Sequence, residues 1–262
     1  MVLSTSGSTT GPHIDAYEEA REVVLLAESR SVKTRLIGGI AFRAQLPGWT
    51  YRQRPAHDID FVVRSKDAPA LARLLEERGY SPDRRQNALY GHKQLYFVDE
   101  EHQRPVDVII DRLEMCHTLE LRDGLEVDPL TVGRAELLLS KLQIVKLNRK
   151  DALDVVALLC VYEVGRNEGI STGPLGDILG RDWGWWRTVT GNLDVIAHTL
   201  DEDDGTFRAD LEMEQPARFD PSEQIAALRR FVEETPKSLA WKLRSRLGER
   251  AIWYEEPEEE GH

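Results

Sequence analysis

The chain is poor in cysteine, in long apolar runs and in repetition. Cys116 and Cys160 are the only cysteines in 262 residues. That excludes a disulfide-built scaffold and fits a reducing, cytoplasmic setting. Each lies among apolar or helical neighbours and reads as a packing residue. No stretch reaches the roughly 18 apolar residues of a membrane span, so no membrane partner is expected. Residues 1–12 lack the basic and apolar blocks of a signal peptide, and their Ser/Thr/Gly composition reads as a disordered lead-in. No internal repeat is present. Positive charge is also scarce: 34 Lys and Arg face 46 Asp and Glu, for a net charge of −12. Part of it comes from Asp201 to Asp204 and from an acidic tail with Glu255, Glu256, Glu258, Glu259 and Glu260. An acidic protein needs a local basic patch to meet nucleic acid. Arg52, Arg54, Arg84, Arg85 and Lys93 could supply one, or could be scattered solvated charge.

What the chain has is an ordinary apolar fraction, 41%, enough for a sizeable core, and two kinds of periodicity. His13 to Ser29 reads as an amphipathic helix with Ala20, Val23, Val24 and Ala27 on one face. Lys33 to Ile37 reads as a strand, Ile40 to Gln45 as a short helix and Asp58 to Val63 as a second strand. Asp67 to Gly79 has Leu71, Leu74 and Leu75 at helical spacing and a terminating glycine. Leu89 to Val98 and Pro105 to Ile110 read as strands, and Thr118 to Val127 as a hairpin arm turning at Asp123-Gly124. Helices are expected from Gly133 to Leu147, Asp151 to Val164, Trp183 to Leu200, Pro221 to Glu234 and Pro236 to Tyr254. The glycine-rich Gly165 to Gly180 reads as a boundary. Trp183, Trp185 and Trp186 invite a base-stacking reading, but their spacing favours core or interface packing.

The chemistry concentrates between Leu36 and Val63. A short apolar strand ends in Gly38-Gly39, and a second begins His57-Asp58-Ile59-Asp60-Phe61-Val62-Val63. Side chains alternate along a strand, so Asp58 and Asp60 share one face while Ile59 and Phe61 enter the core. Adjacent carboxylates repel unless a cation lies between them, and oxygen ligands suit a hard divalent ion. A strand ending in two glycines before a helix leaves backbone N–H groups where a phosphate can sit. Asp107, between Val106 and Val108, is a third carboxylate in an apolar strand and needs a counter-charge.

A Gly-Gly turn followed by Asp-hydrophobic-Asp-hydrophobic resembles the signature of the polymerase-β-type nucleotidyltransferase superfamily. Ala135-Glu136-Leu137-Leu138-Leu139-Ser140-Lys141-Leu142 and Arg149-Lys150-Asp151-Ala152-Leu153-Asp154 resemble the helices that follow the sheet in AbiEii-type toxin nucleotidyltransferases. The likeness covers roughly Leu36 to Leu159. It implies an α+β fold, with a mixed sheet flanked by helices and then an all-α C-terminal region. It implies that Asp58, Asp60 and Asp107 hold Mg²⁺ or Mn²⁺, with Asp107 also able to take the proton of the attacking hydroxyl. Gly38 and Gly39 would bind phosphate, Lys141 would contact the nucleotide phosphates, and Asp151 or Asp154 would support the site. One departure is the eighteen residues between Gly39 and Asp58, longer than the commonest spacing. They place Arg54 and His57 in a loop over the site, where either could contact nucleotide or acceptor.

The expected organisation is a lead-in at 1–12, a nucleotidyltransferase domain at 13–132, a helical domain at 133–254 and an acidic tail at 255–262. The expected activity is transfer of a nucleoside monophosphate from an NTP to a hydroxyl on tRNA, a protein or a small molecule. The AbiEii likeness tilts this toward the toxin of a toxin–antitoxin pair, with an antitoxin as partner. His57-Asp58-Ile59-Asp60 also resembles the aminoglycoside nucleotidyltransferases. A non-catalytic nucleotide-binding regulator on the same fold is the alternative, as is an interaction protein whose helical half binds a partner.

Overall fold

The structure is a computed structural model and describes residues 11–49, 58–165, 168–213 and 216–256. Helix α1 (Ala16–Ser29) starts at Asp15, whose carboxylate accepts from the N–H groups of Tyr17 and Glu18. Strand β1 (Thr34–Ile37) is fully buried and leads directly into α2 (Gly38–Gln45). Then come β2 (Ile59–Val63), α3 (Ala68–Glu77), β3 (Ser81–Pro82), α4 (Arg84–Tyr90), β4 (Gln94–Asp99) and β5 (Arg104–Ile110). Among the described residues these strands form one mixed sheet in the order β1-β2-β5-β4-β3. β2 and β5 run parallel, and the other neighbours are antiparallel.

Register fixes what each face carries. Leu36, Phe61, Val108 and Leu95 form one row across four strands. The first three are fully buried, so this face is core. On the same face Arg104 is held by Asp99 and by the carbonyls of His13 and Ile14, which ties α1 to it. The adjacent row, on the opposite face, is Ile37, Asp60, Asp107 and Tyr96. The free edge of β1 is closed by residues 130–132: Leu36 donates to the Leu130 carbonyl and accepts from the Val132 N–H.

The second half is helical: α5 (Arg134–Leu142), α6 (Arg149–Val161), α7 (Thr172–Arg181), α8 (Trp183–Asp201), the short α9 (Thr206–Ala209), α10 (Pro221–Glu234) and α11 (Leu239–Ser245). One hydrophobic core runs without a break from Leu36 and Phe61 through Leu138 and Leu142 to Leu193 and Leu228. The architecture is therefore α+β, a mixed sheet flanked by helices and followed by an all-α region.

Several elements differ from expectation. Leu89 and Tyr90 end helix α4, so the strand expected from Leu89 begins only at Gln94. Asp83 caps that helix, and the Asn87 amide bonds the backbone of Tyr96 at the sheet edge. The hairpin near residue 120 pairs β6 (Arg112–Glu114) with β7 (Thr118–Glu120), so it turns at residues 115–117, and Gly124–Glu126 is a 3-10 turn. Within Gly165 to Gly180, α7 replaces the expected linker. Its glycines serve packing: a β-carbon at Gly180 would meet the Pro236 carbonyl at 2.8 Å and one at Gly176 would press the Phe231 ring at 3.2 Å. The last helix stops at Ser245, short of Tyr254, and Gly248 follows with φ +55°.

Trp183 and Trp185 are buried in an aromatic cluster. Trp183 packs edge-on to Trp253, Trp186 edge-on to Trp241, and Trp185 stacks on His117. Both cysteines are free and buried, and burial pushes the Cys160 thiol up to about 12.

Candidate functional site

Two of the carboxylates stand side by side in the polar row. Asp60 and Asp107 are register partners on adjacent parallel strands, so their side chains leave the same face about 4.8 Å apart at the backbone. Asp58 stands just before β2 and is exposed. Beside Asp60, Gly38 opens α2 with φ +69°, and a β-carbon there would fall 2.0 Å from Asp60 Oδ2. The glycine therefore answers two demands, a left-handed backbone and the approach of a carboxylate. Ile37 supplies no side-chain cap to α2, so the backbone N–H groups of its first turn have no partner within the helix. Gly39 is the second residue of that turn.

Burial pushes the Asp60 carboxyl up to about 8, aided by the charges of Asp58 and Asp107; the ammonium groups of Lys141 and Lys150 oppose the rise. Loss of hydration is the largest cause of that rise, and the like charges add to it. Carboxylate oxygens suit a hard, oxygen-seeking divalent ion, but among the described residues the ligand atoms that converge, within 4.8 Å, are those of His13, Glu19 and Glu22 and not those of these three aspartates. The fit of a metal here therefore rests on donor chemistry and on the side-by-side placement of Asp60 and Asp107.

A second group of charges lies on α5 and α6. Lys141, in the last turn of α5, lies 2.7 Å from Asp151 Oδ1 and 3.3 Å from Asp154 Oδ2. Its ammonium is 5.7 Å from the centre of the Phe42 ring on α2. Asp154 is fully buried and Asp151 nearly so. Asn148 caps α6 by accepting from the Asp151 N–H, and its amide donates to the Asp151 carboxylate. Asp151 is thus at once a first-turn carboxylate of α6 and a clamp on Lys141.

Asp60 thus lies beside Asp107 and Gly38, with Gly39 next in the chain, and within electrostatic reach of Asp58 and Lys141, while Asp151 and Asp154 are linked to it through Lys141. Arg52, Arg54 and His57 lie outside the described residues. Of the remaining cations that could form a basic patch, Arg84 and Arg85 are exposed on α4 and Lys93 pairs with Glu114 at 2.6 Å. Two neighbours were not legible in the sequence: Tyr96, beside Asp107 in the register, and Phe42, near Lys141; Lys150, from the motif that begins α6, also bears on Asp60 through its charge. Only strand pairing and helix packing reveal them.

A second acidic group, His13, Glu19 and Glu22, brings ligand-type atoms together near the start of α1. It is already neutralised. Arg78 donates to both Glu19 oxygens at 2.7 and 2.8 Å and to Glu22 at 2.7 Å, and Tyr80 donates to Glu19. Its chemistry is that of a buried ion pair.

No protein-family model matches the chain, and no curated protein matches it in sequence. Several solved chains are similar in shape, among them the following two. One is an antigenic nucleotidyltransferase-like protein from Paracoccidioides brasiliensis, 10% identical, aligned over 78% of this chain and 96% of its own with a TM-score of 0.41. The other is a STING-associated CdnE c-di-GMP synthase from Capnocytophaga granulosa, 15% identical, aligned over 89% of this chain and 82% of its own with a TM-score of 0.28. At these similarities neither neighbour assigns a residue or an activity to this chain. No helix among the described residues is long and apolar enough to cross a membrane.

Proposed function

We propose that the chain is a metal-dependent nucleotidyltransferase that moves a nucleoside monophosphate from an NTP to a hydroxyl acceptor. The observation that carries the reading is the placement of Asp60 and Asp107 side by side on parallel strands, with Gly38 and the start of α2 against Asp60. Asp58, Asp60 and Asp107 would hold Mg²⁺ or Mn²⁺, which would supply charge neutralisation at the triphosphate and the attacking oxygen. Gly38 and Gly39 present backbone N–H groups to phosphate. Lys141 places a positive charge in the last turn of α5, and Asp151 and Asp154 fix its position. Asp107 takes the proton as the acceptor oxygen bonds to the α-phosphorus; the bond from that phosphorus to the bridging oxygen breaks and pyrophosphate leaves.

The acceptor is tRNA, a protein or a small molecule, and the resemblance of the α5–α6 segment to AbiEii-type enzymes favours a toxin with a neighbouring antitoxin. The test is incubation of the pure protein with each α-³²P-labelled NTP, Mg²⁺ or Mn²⁺, total RNA and cell lysate, beside Asp58→Ala/Asp60→Ala. Label on RNA, protein or a small molecule that disappears in the variant supports the reading and names the acceptor class. Metal-dependent NTP binding without label replaces it with a regulatory role. Absence of both label and binding overturns it.

A further inference from the structure

The polar row of the sheet has a direction. It runs Ile37, Asp60, Asp107, Tyr96 across four strands. At the Ile37 end stand Gly38 and the first turn of α2, against Asp60, and Lys141 lies near the Phe42 ring of the same helix. The donors suited to phosphate, backbone N–H groups and an ammonium, are therefore gathered around α2, which packs on β1 and β2. At the other end stands Tyr96, about 5 Å from Asp107 at the backbone. In a phosphoryl displacement the entering and leaving oxygens lie on opposite sides of the phosphorus. With the leaving pyrophosphate drawn toward α2, the entering hydroxyl comes from the side of Asp107. The next side chain on that path is Tyr96.

The same face is closed at one end and open at the other. Ile37, Val62 and Ile109 are buried on it, whereas Pro105 and Val98, which flank Asp107 and Tyr96, are exposed, Val98 by 37%. Tyr96 itself is half-buried. Its backbone is held on the outer side as well. Strand β3 pairs only with Phe97 and Val98 and ends there. Beyond it the Asp83 N–H donates to the Tyr96 carbonyl at 2.9 Å, and Asn87 on α4 supplies the rest. The Asn87 amide donates to that carbonyl at 3.1 Å and accepts from the Tyr96 N–H at 2.7 Å. The backbone that carries the ring is thereby fixed beside Asp107.

We propose that Tyr96 is a positioning residue for the acceptor: its ring packs against the acceptor molecule and sets the attacking hydroxyl beside Asp107, without contact to the NTP. The inference rests on the proposed transfer reaction and divides its site in two, with phosphate contacts around α2 and acceptor contacts on β4. A tyrosine ring offers no charge to a phosphate but a broad face to the carbon skeleton of a hydroxyl-bearing acceptor.

The test uses the full chain with α-³²P-labelled NTP and Mg²⁺, and with total RNA and the protein and small-molecule fractions of a cell lysate as acceptors. Initial rates are measured against acceptor at fixed NTP and against NTP at fixed acceptor. Tyr96→Ala is expected to raise the acceptor concentration for half-maximal rate about tenfold and to leave the KM for NTP within about twofold. Tyr96→Phe keeps the ring and should restore acceptor use. Val98→Trp alters an exposed position and crowds the same face, so it should impair acceptor use and spare NTP. Thermal unfolding with NTP and Mg²⁺ checks that each variant folds and binds nucleotide. A role in packing alone would lower the unfolding midpoint of Tyr96→Ala without separating acceptor from NTP. Unchanged acceptor use in Tyr96→Ala or in Val98→Trp, an equal rise in both constants, or a Tyr96→Phe variant as impaired as Tyr96→Ala would each overturn the inference while transfer by the parent stands. No transfer by the parent would overturn the proposed function and this inference with it.

Discussion

Gly38 and Asp60 are fitted to one another. A β-carbon on Gly38 would lie 2.0 Å from Asp60 Oδ2, and the Gly38 backbone is left-handed at φ +69°. Gly38→Ala therefore forces two changes at once. The left-handed backbone alone costs about 1–2 kcal/mol, and the carboxylate must leave its place. A lowered unfolding midpoint is expected together with at least about a hundredfold loss of nucleotidyl transfer. An alanine variant with unchanged transfer would separate Gly38 from the site.

Asp60 is held against its own charge. Burial and the neighbouring Asp58 and Asp107 push its carboxyl up to about 8. A neutral isostere relieves that conflict. In the metal-free protein, Asp60→Asn should raise stability at pH 7.5 by about 1–2 kcal/mol, a gain of the kind found where function keeps a site strained. Mg²⁺ should stabilise the parent, because an ion that binds only the folded chain shifts the equilibrium, and it should not stabilise the variant. Thermal unfolding with and without Mg²⁺ reads both effects without an activity assay.

The first half of the site was legible because local pattern carries it. Asp58-x-Asp60 on an alternating strand, the glycines before it and Asp107 between valines need only period-two reasoning. The elements that escaped are those where tertiary contacts override local preference. Gly173, Gly176 and Gly180 look like a linker, yet α7 forms because the latter two let Phe231 and the Pro236 carbonyl approach closely. Helix α4 buries none of its side chains, so it has no apolar face to announce it, and its capping Asp83 was the one available signal. The hairpin was misplaced because Asp123-Gly124 has strong turn chemistry, which here serves a 3-10 turn. Tyr96 and Phe42 carry no signal at all, since their nearness to Asp107 and Lys141 depends on register and on helix docking.

His117 offers a pH signature outside the proposed site. Burial lowers its imidazole from the ordinary 6.5 to about 4, against a weaker opposing pull from Asp182. The unfolded chain therefore binds the proton more tightly. The contribution of His117 is fully present above pH 6.5 and is lost as pH falls from about 6.5 through about 4. The loss should be roughly 2–3 kcal/mol over that window. Urea unfolding at stepped pH should show it, and His117→Gln should flatten the window.

Lys141 separates stability from chemistry. Its ammonium is shared by Asp151 at 2.7 Å and Asp154 at 3.3 Å, and Asp154 is fully buried. Lys141→Met leaves those carboxylates facing each other without the cation between them, and loss of one partner from a buried pair costs about 3–5 kcal/mol. If Lys141 served packing alone, Lys141→Met/Asp154→Asn would recover much of the stability and the transfer, because the fully buried leftover charge is removed while Asp151 keeps its bonds with Asn148. If Lys141 also faces nucleotide phosphates, the double variant recovers much of the stability while transfer stays low. Its apparent KM for NTP should then remain raised relative to the parent. Chemical denaturation and steady-state kinetics on the same four proteins, the parent, each single variant and the double, distinguish the two.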